Sequence, residues 1–341
     1  MLHFDTDYME GAHPEVMRRL IETNMDQTPG YGTDRYCDEA RQLIRQACGN
    51  DSLDVHFLVG GTQTNATVID ALLAHHEGVV AAASAHINVH ESGAIEASGH
   101  KVLTLPSHDG KVDADELKRF ITDFYADETY EHMVAPGMVY ISYPTEYGTI
   151  YSHQELQHLH AVCQQHNIPL FIDGARLGYG LACDAADITL PELATLCDVF
   201  YIGGTKVGAL FGECVVARPG LLTHFTPLMK QHGALMAKGR LLGIQFGTLF
   251  TDGLYLRIAR HAVDLAMRLK QGFIDKGYTP VIDSPTNQQF FILPNDVMDR
   301  LAHDFTFEMW GYRGDTHTTV RFVTSWATKP EHVEALIKGL L

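Results

Sequence analysis

A single lysine stands directly after a glycine turn. In "YIGGTKVGAL" (201–210) Lys206 follows Gly-Gly-Thr, and the preceding "LCDVFYIGG" (196–204) is apolar, aromatic and β-branched, the composition of a buried strand. A lysine shown at the end of such a strand suits two chemistries: a point charge for a phosphate, or an amine that condenses with a carbonyl. The plain alternative is a solvated loop lysine. Two other strand ends bear on the choice. "LVGGTQTN" (58–65) runs from a strand through Gly-Gly into a helix start rich in hydroxyl and amide groups, a natural seat for a phosphate on free backbone N–H groups. "LFIDGARLG" (170–178) ends a strand on Asp173 and places Arg176 three residues later.

Several familiar sites are excluded by spacing. "GGTKVG" lacks the span of a P-loop and "GGTQTN" has no lysine; no GxGxxG follows a strand, and neither GxSxG nor HExxH occurs. The histidines at 153, 158, 160 and 166 lack metal-ligand spacing on one helix face, and no metal site is expected. Pyridoxal 5′-phosphate fits the three strand ends together. Its aldehyde needs a lysine amine, its ring nitrogen a carboxylate, and its phosphate a helix N-terminus. Lys206, Asp173 and "GGTQT" supply them.

These strand ends need a scaffold, and the sequence between about 53 and 217 supplies one. Apolar strands at 53–59, 79–85, 101–105, 137–144, 168–174, 197–204 and 211–217 alternate with helical segments at 64–76, near 88–98, 113–125 and 152–166. That alternation predicts an α/β domain with a largely parallel sheet covered on both faces and ligands at the carboxyl ends of its strands. Beyond about 219 the pattern changes to a loop, "KQHGALMAKGR" (230–240), helical text over 241–276, short strands at 278–283, 288–294 and 319–325, and a closing helix at 330–341. The expected division is an N-terminal arm (1–25), a large domain (26–240) and a small C-terminal α+β domain (241–341).

Bulk properties narrow the class. With 341 residues, 25 Lys plus Arg against 42 Asp plus Glu and a formal charge of −17, the chain has no basic footprint for nucleic acid or an anionic membrane. No apolar run approaches the ~18 residues of a membrane span, and the acidic "MLHFDTDYME" does not read as a signal peptide. Six scattered cysteines without a CxxC pair read as reduced thiols. The expectation is a soluble cytoplasmic protein.

In order and spacing, "GGTQTN", "SAHINVHESGA" (84–94), "PTEYGTIYS" (144–152), "DGARLG" and "GGTKVGA" resemble the threonine aldolase / β-eliminating lyase family of fold-type I pyridoxal-phosphate enzymes, which have an aspartate aminotransferase-like large domain. The likeness runs from "TDYMEGAHPEV" (6–16) to "VRFVTSWAT" (320–328). It implies that Lys206 anchors the cofactor and Asp173 pairs with its ring nitrogen. Gly61, Thr62 and Gln63 hold its phosphate, with Thr205 also against the cofactor. His86 stacks on its ring and is the first candidate base, His132 the second, and Glu91 orients His86 or a water. Arg176 reaches the phenolic oxygen or the substrate carboxylate; Arg321 is a second carboxylate clamp, and Thr6 contacts substrate. Two places depart from the pattern: Thr6-Asp7 stands where many relatives read Ser-Asp, and the surroundings of His132 match poorly. The implied reaction cleaves an L-β-hydroxy-α-amino acid (threonine, allo-threonine or phenylserine type) to glycine and an aldehyde. The same site also serves β-elimination and transamination, and a non-catalytic ligand sensor is the remaining alternative. The resemblance further implies a homodimer or homotetramer with shared active sites. The Gly-rich basic loop 230–240 is expected to reach an active site, across a subunit boundary.

Overall fold

In the computed structural model, which describes residues 1–340, the expected alternation builds a seven-stranded sheet. The strands of the chain are β1 (Leu2–His3), β2 (Asp54–Leu58), β3 (Glu77–Ala82), β4 (Lys101–Leu105), β5 (Ala135–Ser142), β6 (Leu170–Asp173), β7 (Val199–Gly203), β8 (Glu213–Ala217), β9 (Gln288–Pro294), β10 (Phe305–Thr306), β11 (Glu308–Met309) and β12 (His317–Val323). The main sheet has the order β2-β8-β7-β6-β5-β3-β4, parallel except for β8, which runs antiparallel to both neighbours. Nearly every residue of β3, β5, β6, β7 and β8 is buried, because helices cover both faces. Each fully buried aliphatic side chain there contributes roughly 1.5–3 kcal/mol.

Local chemistry sets the helix starts. Asp34 accepts from the amides of Tyr36 and Cys37, Asp113 accepts from those of Asp115 and Glu116, and Ser152 with Glu155 forms a reciprocal capping box. The helix expected near 88–98 is two single turns, His86–Val89 and Ala94–Ala97. Ser92 and Gly93 between them take left-handed backbone (φ 53° and 74°), which reverses the chain and brings Glu91 back to His86. The helical text at 241–276 likewise divides, into Arg240–Leu249 and Leu254–Asp275, at the left-handed pair Asp252-Gly253.

A second, antiparallel sheet has the order β11-β12-β9. The strand expected at 278–283 does not form: apart from a single bridge between Pro280 and Phe291, the segment is irregular, since proline offers no N–H to a ladder. Two cores result. One runs from Ala12 to Val263 around the large sheet; the other gathers Phe4 with Leu265, Leu269, Phe273, Phe291 and Phe322. Helix Leu254–Asp275 belongs to both. The chain's first residues also cross over: β1 pairs in parallel with β10, and Phe4 is fully buried beside Phe305. All six cysteines are free and buried. Among the described residues, no helix is long and apolar enough to cross a membrane.

Candidate active site

The carboxyl ends of β5, β6 and β7 open into a cavity of about 350 Å³, lined among others by Gly61, Thr62, His86, Asp173, Arg176 and Lys206. Three other clefts are of similar size, and the one beside Lys111 and Glu155, about 390 Å³, is an open surface groove; the remaining two are about 380 and 300 Å³. One is framed by Arg18, Arg19 and Arg257 with Glu15 and Glu39, the other by Tyr31, Arg41 and His56. Volume does not choose among the four. The convergence of different ionisable groups at strand ends does.

Asp173 is the last residue of β6 and is buried. Its Oδ2 accepts from Tyr140 Oη at 2.5 Å and Asn65 Nδ2 at 3.0 Å, and its Oδ1 accepts from Tyr201 Oη at 2.5 Å and the Ala175 amide at 2.9 Å. Burial alone would raise this carboxyl. The charge of His86 and the hydrogen bonds of Tyr140, Tyr201 and Ala175 outweigh it and hold Asp173 below its ordinary value. Both phenols are pushed well above theirs, by burial first and then by Asp173, so they remain donors. Close backbone packing makes this possible: a Cβ on Gly174 would lie 1.9 Å from the Tyr201 carbonyl oxygen, and one on Gly203 2.3 Å from that of Ala175.

Lys206 follows β7 on a turn closed by the amides of Gly204 and Thr205, which both donate to the Gly212 carbonyl. Its side chain is half-buried, and no carboxylate oxygen lies within 4.0 Å of its amine among the described residues. Burial and the nearby Arg176 push the amine's pKa down; Asp7, Asp173 and Glu213 pull it partly back. Across the cavity, helix Gly61–Leu72 begins at Gly60 without any side-chain cap, so its first N–H groups remain for a ligand. Gly61 and Thr62 line the cavity, whereas the Gln63 side chain is otherwise engaged: its Oε1 accepts from the Val59 amide and its Nε2 donates to the His232 carbonyl. That contact brings the start of loop 230–240 against the base of the same helix. The Thr205 hydroxyl donates to Glu213 Oε1 at 2.9 Å and accepts from the Gly212 amide at 3.0 Å.

His86 Nδ1 lies 2.7 Å from Glu91 Oε1, which also accepts from Asn65 Nδ2 at 2.7 Å. Asn65 thereby bridges Glu91 to Asp173, and a continuous line of hydrogen bonds joins His86 to the tyrosines. Arg176 is held bidentately by Asp7, Nε to Oδ2 at 2.7 Å and Nη2 to Oδ1 at 3.0 Å, with Asn287 Nδ2 donating to Asp7 at 2.9 Å. Burial would raise the Asp7 carboxyl, but Arg176 and Lys206 hold it down.

The remaining sequence-predicted residues lie outside the cavity wall. Arg321, on β12, pairs with Glu308, donates to Gln288 Oε1 at 2.8 Å and lies 5.1 Å over the Trp310 ring. Burial and repulsion from Arg176 lower its pKa. Thr6 lines a separate small cleft with Met1, His3 and Thr328, its hydroxyl buried without a partner; the neighbouring Asp7 is the one that reaches inward. His132 is exposed on a 3₁₀ turn before β5. The eight residues of that strand separate it from the site end of the sheet by about 25 Å. It takes no part in this chain's own cavity.

Sequence reasoning passed over Asn65, Tyr140, Tyr201, Glu146, Glu213 and Asp7. The tyrosines did leave a signal: "VYIS" and "FYIG" end the two strands that flank β6, with tyrosine two places before each end. Glu146 accepts from Ser142 Oγ at 2.7 Å and the His86 amide at 2.9 Å, and burial raises its carboxyl.

A sheet of this order with a lysine, a buried aspartate and an uncapped helix start at its carboxyl edge is the plan of fold-type I enzymes. An aspartate aminotransferase of Thermus thermophilus superposes with a TM-score of 0.72 over 99% of this chain and 90% of its own, at 13% identity, a likeness of fold alone. The chain belongs to the beta-eliminating lyase family, which matches residues 3–294. A Leishmania major threonine aldolase is 40% identical and superposes with a TM-score of 0.96, covering 100% of this chain and 98% of that one. A low specificity L-threonine aldolase of Pseudomonas aeruginosa is 28% identical over 99% of this chain and 96% of its own length.

Proposed function

We propose that this protein cleaves the Cα–Cβ bond of an L-β-hydroxy-α-amino acid of the threonine, allo-threonine or phenylserine type to glycine and an aldehyde, with pyridoxal 5′-phosphate as cofactor. The observation that carries the reading is the convergence, in one cavity, of the Lys206 amine, the four-donor Asp173 carboxylate and the His86–Glu91 pair. The names of the relatives support the same class of substrate.

The residues fit the cofactor. A Cβ on Gly60 would meet nothing within 4 Å, which leaves open space at the helix start for a phosphate on the amides of Gly61 and Thr62. Lys206 would hold the aldehyde carbon, His86 would lie on the ring, and Asp173, an anion at neutral pH, would hold a protonated ring nitrogen. When bound, the cofactor supplies a sink for the electron pair left on Cα as the bond breaks.

The rest is the work of this chain. Glu91 accepts from Nδ1–H of His86, which makes Nε2 the basic atom, and Nε2 takes the proton of the substrate's β-hydroxyl as Cβ becomes the aldehyde carbon. Asn65 keeps Glu91 and Asp173 in fixed relation. The ammonium form of Lys206, more acidic than that of an ordinary lysine, delivers a proton to Cα so that glycine leaves, and the proton His86 has taken from the hydroxyl makes good that loss over the cycle. Arg176, aimed by Asp7, and Arg321 beyond it provide the positive side of the site for the substrate carboxylate.

The test is product analysis with L-threonine, L-allo-threonine and phenylserine. Glycine and aldehyde in equal amounts are expected. Pyruvate or another oxo acid with ammonia would replace this reading with β-elimination; an oxo acid formed only with an amino acceptor would replace it with transamination. Bound cofactor without turnover would make the protein a sensor. As a whole the molecule is read as a homodimer or homotetramer, consistent with the exposed Met17, Ile21, Met25 and Leu256. Six buried, unpaired cysteines suit the cytoplasm.

A further inference from the structure

Two carboxyls line the cavity without a part in that reading, Glu146 and Glu213, and the second occupies the more consequential place. Glu213 opens β8, and the register sets it opposite Leu58 on one side and Gly203 on the other. Those two residues end the strands that lead into the Gly60–Thr62 turn and into the Gly204–Lys206 turn. The Glu213 carboxyl therefore lies between the phosphate seat and the lysine. Its Oε1 accepts from the Thr205 hydroxyl at 2.9 Å and its Oε2 from the Gly204 amide at 3.1 Å. Thr205 has one hydroxyl proton, and Glu213 takes it, so Thr205 has none to give a phosphate. An anion seated on the helix start meets a carboxyl where a cation would be expected.

The groups facing Glu213 do not neutralise that encounter. Among the described residues, the cation acting most on Glu213 is Lys206 on the turn after β7; Arg176, elsewhere on the cavity wall, is already paired with Asp7. Asp173 from β6 adds negative charge; Tyr201 of β7, Tyr255 of helix Leu254–Asp275 and the adjacent Cys214 are all held neutral, and the first two turns of helix Gly61–Leu72 carry no titratable side chain. Lys206 is itself the group that the cofactor aldehyde would consume. Burial raises the Glu213 carboxyl, against the pull of Thr205, Lys206 and the Gly204 amide, and Asp173 raises it further.

We propose that Glu213 makes the phosphate seat proton-linked: it holds a proton while a phosphate monoester is bound beside it and repels that phosphate once ionised. The inference rests on the cofactor reading above. Its sign is fixed: selectivity for a phosphorylated ligand is full where Glu213 is neutral and falls as pH rises through its titration.

The experiment uses purified protein resolved from any cofactor and two probes, pyridoxal 5′-phosphate and pyridoxal, which share the aldehyde and differ in the phosphate. The ratio of their dissociation constants is measured for wild type and Glu213→Gln between about pH 6 and about pH 9. Taking the ratio cancels the titration of Lys206, and comparing the two proteins cancels that of the phosphate itself, near 6. The preference of wild type for the phosphorylated probe is expected to fall about tenfold relative to the variant across that range. Parallel ratios would overturn the inference. A measurement on wild type alone guards against a misfolded variant. Calorimetry toward about pH 9, where Glu213 is ionised in the free protein, in buffers of different ionisation enthalpy, should show proton uptake with pyridoxal 5′-phosphate in excess of that with pyridoxal, after allowance for the phosphate's own protonation; no excess there overturns the inference. Should neither probe bind wild type, the cofactor reading itself falls and the inference with it. Should both bind with pH-parallel ratios, only the inference falls.

Discussion

Asp7 and Arg176, 169 positions apart in sequence, form a bidentate pair in which the carboxylate is fully buried and the guanidinium is nearly so. The N-terminal segment is thereby tied to the site, since Asp7 also accepts from Asn287 beside the second sheet. Removing one partner of a buried pair leaves the other charge uncompensated, which costs about 3–5 kcal/mol. Asp7→Ala should lose stability in that range in urea denaturation. The pH dependence follows from the lowered Asp7 carboxyl. Its contribution is fully present above the ordinary carboxyl value near 3.9 and disappears as pH falls through the folded-state value. The stabilities of wild type and variant should therefore converge only in acid below about pH 4, and a gap that closed on the alkaline side would contradict the assignment.

The two phenols on Asp173 are each worth testing alone. Tyr140→Phe or Tyr201→Phe removes one 2.5 Å donor from a buried carboxylate and should cost about 1–3 kcal/mol, read by denaturant midpoint. The carboxyl left behind should also rise toward its ordinary value, since the lost donor was one of the groups opposing burial. Unchanged stability in both variants would mean that the tyrosines merely fill space.

Gly174→Ala tests the backbone approach that sets this geometry. The added methyl would sit 1.9 Å from the Tyr201 carbonyl, so β6 and β7 must part at the residues that carry Asp173 and Tyr201. A loss of at least about 1–3 kcal/mol is expected, together with weaker binding of pyridoxal 5′-phosphate measured by visible titration. A variant with wild-type stability and binding would show that the strand ends yield freely there.

How far the sequence foretold this site depends on what each residue answers to. Lys206, Asp173, Gly61 and Thr62 were legible because each is fixed by its own strand end and turn, a local matter of period and glycine placement. His86 with Glu91 was legible only as proximity in sequence, since their contact depends on the left-handed Ser92-Gly93 reversal, where a continuous helix was expected. Glu213 was hidden because its role depends on β8 running antiparallel between β2 and β7, and strand order leaves no periodic trace. The resemblance set Gln63 on the cofactor phosphate and Thr205 against the cofactor, and long-range partners, His232 and Glu213, take up their side chains, which no local pattern announces. The small sheet was half legible: the apolar runs of β9 and β12 stood out, while two-residue β10 and β11 are too short for any pattern.

His86 and Glu91 should separate by size of effect. His86→Ala removes the group placed to take the hydroxyl proton and should lower kcat by about 10²–10⁴-fold. Glu91→Gln keeps a side-chain oxygen for Nδ1–H but removes the charge, and a loss of about 10–100-fold is expected, mainly in kcat with KM little changed. Steady-state kinetics with L-threonine and L-allo-threonine checks both. A His86→Ala enzyme retaining wild-type kcat would move the base elsewhere in the cavity, where Glu146 is the next carboxyl.

The decisive prediction concerns Lys206. Burial and Arg176 lower its pKa, so the neutral, nucleophilic amine is more abundant near neutrality than in a free lysine and is lost as pH falls. Capture of pyridoxal 5′-phosphate, followed by visible absorption, should accelerate with pH and level off below the ordinary lysine value of about 10.4. Lys206→Ala should show no such absorption and should lose more than about 1,000-fold in kcat. Lys206→Arg, which keeps the charge but has no neutral amine at these pH values, should fail equally. If Lys206→Ala took up the cofactor with the wild-type spectrum, another amine would be the anchor, and the lysine beyond the Gly-Gly-Thr turn would be left with an electrostatic part alone.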